Sequence, residues 1–291
     1  MIEKLKSIIP WQLKILLKII LSRVPLPYSL WSRLGIFKHG RMDEYHYAWS
    51  VLNNHIQSSA KVGNLSAIEF GPGDGVLSAL LAKSAGLDSL DLLDAGDFAS
   101  KNIKKYKMAL DAFAADQKSE TILQIGDEDT FDDVLKSAKS KYYTKGLESL
   151  RKISAESYDL IFSQAVLEHI RVNEFEDMLE ECHRLLKPNG VMSHVIDFKD
   201  HLGGGLNNLR FDSAFWEKDW FAFKSGFYTN RLRLSDVIHL CNKHNFRVKI
   251  ISTTSFSAIP VTRSKLAPEF KALHDDDLMC SGAHLIMEKY E

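Results

Sequence analysis

The stretch that most constrains this chain is Ala67 to Gly75, which reads A-I-E-F-G-P-G-D-G, an apolar run broken by a glycine turn. Ser66 to Phe70 has the length and composition of a short buried strand, Gly71 to Gly75 turns the chain, and Val76 to Ser84 resumes helical spacing. Leu87 to Asp94 reads as a second strand ending in an acid. An acid about 20 residues beyond a glycine loop is placed to accept hydrogen bonds from ribose hydroxyls in open α/β sheets. A dinucleotide fingerprint would require G-x-G-x-x-G; Gly71 and Gly73 fit, but Val76 occupies the third position, which disfavours NAD. If the glycines only turned the chain, Asp94 would be a coincidence.

The alternation of strand and helix continues. Helices are predicted at Lys101 to Gln117 and Thr130 to Lys139, the latter opening T-F-D-D as an N-cap with acids in the first turn. The third strand is placed at Lys141 to Thr144, with Thr121 to Ile125 as the rival; the first choice leaves the shorter connection to the next strand. Asp159 to Ser163 reads as a strand, Glu174 to Leu186 as a helix, and Val191 to Ile196 as a strand entered through K-P-N-G. A glycine- and asparagine-rich loop, His201 to Asn208, precedes an aromatic segment containing Phe211, Phe215, Trp216, Trp220, Phe223 and Tyr228. Leu234 to Asn245 then reads as a helix, and Arg247 to Ser252 and Gly282 to Lys289 as strands. With no repeat or low-complexity linker, one domain over residues 61–291 follows an N-terminal helical extension over residues 1–60, in which Met42 to Ile56 is amphipathic.

Charge and cysteine content narrow the function. The 37 basic and 38 acidic residues nearly cancel, so the molecule lacks the positive field of a nucleic-acid binder, and no nucleic-acid partner is expected. Cys182, Cys241 and Cys280 are odd in number and widely spaced, which argues against a disulfide framework or a zinc site and fits a reducing cytoplasm. Ile15 to Leu21 is apolar but interrupted by Lys18 and ended by Pro25 and Pro27, too short and too charged for a spanning helix or a secretory signal. An amphipathic helix there suits a membrane surface and a place packed on the domain equally well.

In order, E-F-G-P-G-D-G, L-D-L-L-D, Y-D-L-I-F-S-Q-A-V-L-E-H-I and H-R-L-L-K-P-N-G resemble the motifs of class I S-adenosylmethionine-dependent methyltransferases. The resemblance implies a doubly wound, Rossmann-like α/β fold: a mostly parallel seven-stranded sheet with an antiparallel last strand. A closer resemblance runs through V-P-L-P-Y-S-L-W-S-R-L-G-I-F-K-H-G-R-M, D-A-G-D-F-A, D-F-K-D-H-L-G-G-G-L-N-N-L-R-F and Y-T-N-R-L-R. These segments look like a bacterial methyltransferase subfamily encoded beside glycosyltransferases of cell-surface polysaccharide pathways. That implies a sugar or glycan acceptor, lipid-linked or nucleotide-linked, and a protein working in the cytoplasm or at the inner face of the cell membrane.

The resemblance also assigns residues. Gly71 and Gly73 would admit the methionine and ribose parts of the cofactor, S-adenosylmethionine, with Glu69 and Asp74 near its positive charge and Asp94 on the ribose. Ala95, Gly146 and Leu147 would border the adenine, with Ser163 and Gln164 closing the other side; if Thr121 to Ile125 is instead the third strand, Asp127 takes the adenine contact and Gly146 is an ordinary turn glycine. A hydroxyl acceptor calls for a general base, and the candidates are His169 past the fourth strand and Asp197, Asp200 and His201 past the fifth, with His201 favoured for the glycine-rich loop it leads into. His194 reads instead as a strand histidine satisfied by a neighbour. Asp200, Asn207, Asn208, Arg210, Tyr228, Asn230 and Arg231 lie in an acceptor-binding insertion over residues 198–233, although their arginines suit structural ion pairs as well. Asp197, Asp200 and His201 could hold a divalent ion, but the cluster lacks a diagnostic spacing and no metal is expected.

Overall fold

A computed structural model describes Leu13 and residues 41–117, 123–222 and 227–290. The apolar segment Ile15 to Leu21, Phe223 and the first two residues of the rival third strand lie outside the described residues. Among the described residues no helix is long and apolar enough to cross a membrane.

Seven strands form one sheet in the order β3-β2-β1-β4-β5-β7-β6. They are β1 (Leu65–Phe70), β2 (Leu87–Leu93), β3 (Tyr142–Tyr143), β4 (Tyr158–Gln164), β5 (Leu186–Asp197), β6 (Phe246–Ser255) and β7 (Cys280–Lys289). Strands β1 to β5 pair in parallel, and β7 runs antiparallel to both β5 and β6, as expected. The order reverses between β1 and β4, which opens the crevice where ligands of doubly wound sheets bind.

Helices among the described residues include α1 (Tyr45–Ser59), α2 (Leu77–Leu81), α3 (Ile103–Gln117), α4 (Phe131–Ser137), α5 (Gly146–Leu150), α6 (Val172–Leu185) and α7 (Leu234–Lys243). Thr130 caps α4 through a capping box with Asp133, the start that T-F-D-D predicts. α6 buries Phe175, Met178, Leu179, Cys182 and Leu185, a stripe at helical spacing, and leaves its acids outside. Each such side chain withdrawn from water stabilises the fold by about 1.5–3 kcal/mol.

β3 forms where the favoured placement put it, pairing Leu92 with Tyr142 and Leu93 with Tyr143, whereas Leu123 to Ile125 is not a strand. One expectation needs correction. β5 begins at Leu186, so K-P-N-G is part of the strand rather than a turn before it, and a register shift between Tyr158 and Leu160 accommodates the extra length. Where the extension ahead of residue 61 is described, α1 buries Ala48, Val51, Leu52 and His55, the first three within the core that holds β1 and β2. The His55 imidazole reaches Ser193 Oγ on β5 at 2.7 Å, and that hydroxyl lies 2.9 Å from His284 Nε2 on β7. Burial first, then the neighbouring imidazoles, push His55 down to about 3, so this helix-to-sheet contact is made by a neutral ring.

Candidate active site

The glycine loop is fastened to the end of β2 from both sides. Gly71 N–H donates to the Leu93 carbonyl at 2.7 Å, and Gly73 N–H to Asp94 Oδ2 at 3.1 Å. Gly71 has φ +68°, and a Cβ there would stand 2.4 Å from Val166 Cγ2, so only glycine fits between the loop and the turn after β4. At Gly75 a Cβ would meet the Met42 carbonyl at 3.0 Å, because the chain entering α1 crosses the loop, held by Lys105 and Asp43 at 2.6 Å.

Asp94 is oriented by its own surroundings. Ala95 N–H donates to Oδ1 at 2.8 Å, opposite the Gly73 bond to Oδ2, and each oxygen keeps a second lone pair for a ligand hydroxyl. Burial raises its pKa to about 6, the Ala95 and Gly73 amides oppose the rise, and Asp74 adds to it. Glu69, 1% exposed, accepts from Ser78 Oγ; burial lifts it to about 7, the Ser78 bond opposes and Asp94 contributes. Two carboxyl groups held this far from water are matched to a ligand carrying positive charge.

Gly146 N–H donates to the Asp94 carbonyl at 2.9 Å, and its Cα side faces Ala95, so Ala95 and Gly146 meet at the end of β2 and β3. Leu147 is half-buried against the neighbouring core. Asp74 is buried, and its carbonyl accepts from Ser100 N–H at 3.0 Å. Ser163 departs from its expected place: it is fully buried, paired across the sheet with His194, and its hydroxyl lies 2.7 Å from His194 Nδ1. Gln164, one residue on, is half-exposed at the strand end. A separate open groove, lined by Asp97, Lys101, Phe131, Lys136 and Tyr142, sits on edge strand β3 apart from the glycine loop.

On the acceptor side, the turn after β4 begins at Ala165, which adopts φ +55°. The short helical turn Leu167–His169 follows. The His169 ring stands edge-on to His201, with ring centroids 4.8 Å apart, and both side chains are exposed. His169 Nδ1 lies 2.9 Å from the Tyr228 carbonyl, so Nδ1 carries the proton. Asp197 ends β5, half-exposed, with Lys199 Nζ at 3.6 Å.

Sequence reasoning missed Glu168. It is 3% exposed beneath the two histidines, and burial raises its pKa to about 8; the amides of Glu168 and Asp197 oppose the shift and the Asp197 charge adds to it. The E-H pair in L-E-H-I carries the signal, since an acid directly before a candidate base is worth testing as its partner.

Most proposed substrate contacts are engaged within the protein. Asp200, 2% exposed, accepts from the backbone N–H groups of Leu202, Gly204, Gly205 and Asn207 within 3.2 Å, so it shapes the loop instead of facing it. For the same reason the ion-binding set Asp197, Asp200 and His201 is not assembled. Asn230 donates to the Leu167 and Ile170 carbonyls, Asn208 to Thr229, and Tyr228 to Glu217. Arg231 is buried, donating to the Phe211 carbonyl and Ser213 Oγ and lying over Trp216. Trp216, Phe221 and Phe227 form a small apolar core of their own under this loop. Asn207 and Arg210, bonded to each other at 3.0 Å, are the two candidates left half-exposed.

Residues 68–193 match the family model described as a methyltransferase domain. No curated protein matches the chain. Solved structures to which it is similar include the YcgJ protein of Bacillus subtilis, 13% identical, covering 84% of this chain and 99% of that one with a TM-score of 0.47. A methyltransferase of Methanosarcina mazei is 16% identical, covers 80% and 96%, and scores 0.45. Phosphoethanolamine N-methyltransferase 2 of Haemonchus contortus, solved with S-adenosyl-L-methionine, is 13% identical, covers 88% and 54%, and scores 0.46. The glycine cradle, the two raised carboxyl groups and Asp94 fit S-adenosylmethionine as the cofactor, and the loop and both carboxyl groups lie within residues 68–193, the stretch that matches the methyltransferase-domain model.

Proposed function

We propose that the chain transfers a methyl group to a hydroxyl oxygen of a sugar, within a cell-surface polysaccharide or its lipid-linked or nucleotide-linked precursor. The observation that carries this reading is the meeting of His169 and His201 at the carboxyl ends of β4 and β5, on the turn whose Val166 closes the glycine loop. A hydroxyl is too weak an acid to be methylated readily without a proton acceptor at hand. The sugar itself comes from the resemblance of the segments around D-F-K-D-H-L-G-G-G-L-N-N-L-R-F and Y-T-N-R-L-R, and with it the expectation of work at the inner face of the membrane.

When bound, the cofactor supplies an electrophilic methyl on a positively charged sulfur, and the electrons of the broken S–C bond stay on sulfur as the new C–O bond forms. Glu69, Asp94 and the Gly71 to Gly75 backbone hold that group; His201 takes the proton of the acceptor oxygen, with His169 and Asp197 beside it. Asn207 and Arg210 face the acceptor from the loop. Much of the acceleration comes from aligning the two reactants, which effective molarities put at up to about 7–11 kcal/mol.

The test is transfer of labelled methyl from S-adenosylmethionine to a panel of nucleotide sugars and lipid-linked glycans. His201→Ala is expected to abolish turnover while calorimetry shows cofactor affinity retained. Methylation of amines or simple lipids but of no sugar in the panel would sink the reading.

A further inference from the structure

Glu168, His169 and His201 each offer a ligand atom, one carboxylate oxygen and two ring nitrogens, all within 4.8 Å of one another. Glu168 is buried, and although the amides of Glu168 and Asp197 lie near its carboxylate, neither Oε1 nor Oε2 meets a partner in hydrogen-bond geometry. A buried carboxylate without donors is strongly unfavourable unless a cation or a proton meets it. The two imidazoles lie over it from the solvent side. Because His169 Nδ1 donates to the Tyr228 carbonyl, the lone pair of that ring is on Nε2, the arrangement in which a backbone acceptor orients a metal-ligating histidine.

We propose that Glu168, His169 and His201 bind a divalent first-row transition ion, Zn²⁺ or Mn²⁺. Two imidazoles with one carboxylate are a donor set of catalytic metal sites that keep coordination positions open. Ligand atoms on a shell of about 2.0–2.2 Å stand closer together than 4.8 Å, and the approach still needed is a small rotation for two exposed side chains. The open positions face solvent, where the Proposed function puts the acceptor. On that reading, which this role in the reaction rests on, an acceptor hydroxyl coordinates the ion, its acidity rises, and its proton passes to Asp197. With the ion bound, the two histidines are its ligands and Asp197, beside them at the end of β5, takes the proton that His201 takes when no ion is there.

Calorimetric titration of ZnCl₂ and MnCl₂ into full-length, chelator-stripped protein tests the site without reference to activity. One equivalent is expected to bind, with affinity falling more than about tenfold in both Glu168→Gln and His201→Ala and unchanged in the remote surface variant His274→Ala. No stoichiometric binding of either ion, or equal binding by all variants, overturns the proposal. Circular dichroism reports whether Glu168→Gln folds; if it does not, exposed His201 decides alone. Binding through these residues by a protein that methylates no sugar keeps the ion site and removes the sugar, whereas sugar methylation by a protein that binds no ion does the reverse.

Discussion

Replacing Glu69 with Gln should make the cofactor-free protein more stable and the cofactor bind more weakly, and the size of the first effect follows from where the side chain sits. Glu69 is buried in β1, and burial raises its pKa from 4.5 to about 7. A carboxylate whose folded pKa is raised holds its proton more firmly folded than unfolded. Its contribution is therefore most favourable below the unfolded value and is lost as pH climbs towards the folded one, at about 1.4 kcal/mol per pH unit. Integrated from 4.5 to 7, the loss is about 3 kcal/mol, complete above pH 7. Gln has the same shape, can still accept from Ser78, and carries no such dependence. Urea unfolding at pH 5, 6, 7 and 8 should show a gap between Glu69→Gln and wild type of under about 1 kcal/mol at pH 5, widening to about 3 kcal/mol at pH 8. A pH-independent gap, or a variant less stable than wild type at pH 8, refutes the argument that desolvation dominates at this site. The cofactor reverses the order: its positive charge needs a counter-charge there, so affinity at pH 8 should fall by about tenfold or more in Glu69→Gln, equivalent to roughly 1.4 kcal/mol. Between pH 6 and 7 wild-type binding should also release protons, seen as a dependence of the calorimetric heat on the buffer used, because the donor draws Glu69 and Asp94 towards their charged forms.

Gly71→Ala forces a methyl to 2.4 Å from Val166 at a backbone angle of +68°, and should abolish measurable cofactor binding by calorimetry with a lowered melting temperature. Asp200→Asn replaces two acceptor oxygens that hold four amides with one acceptor and one donor; a destabilisation of about 2–4 kcal/mol is expected by urea unfolding. Its kinetic effect should appear in KM for the acceptor and leave the cofactor Kd unchanged. Arg233→Lys removes a buried fork that donates to the Phe198, Asp277 and Cys280 carbonyls, and should cost about 3 kcal/mol or more in chemical denaturation, again with cofactor affinity intact in the folded protein.

The donor half of the site was legible because its chemistry is local in sequence. A strand, a glycine turn and an acid at the end of the next strand declare themselves by residue type and spacing, and Thr130 announces the helix it caps in the same way. Ser163 was not legible, since whether a strand residue looks along the sheet or out of its end depends on register, and only the pairing with His194 settles it. Asp200 read as a catalytic-side acid because nothing in periodicity reveals that a loop will fold its amides back onto one carboxylate. His194 was read correctly as a strand histidine with a neighbour, a reading that follows from its position in an apolar run.

Glu168 joins the two halves, and it shows why the acceptor side was harder to read. Ala165 enters the left-handed region, His169 N–H closes back on the Val166 carbonyl at 2.8 Å, and the few residues between do two jobs at once. Val166 fills the space that only a glycine at position 71 leaves, which fixes the donor loop; two residues later Glu168 turns inward beneath His169 and His201. Val166→Ala should therefore loosen both sides together, weakening cofactor binding through the gap opened at Gly71 and changing the seating of the His169 and His201 pair. Had the two sides been independent, a substitution confined to Val166 would alter cofactor affinity and leave the acceptor KM as it was, and that outcome would show that the turn does not couple them.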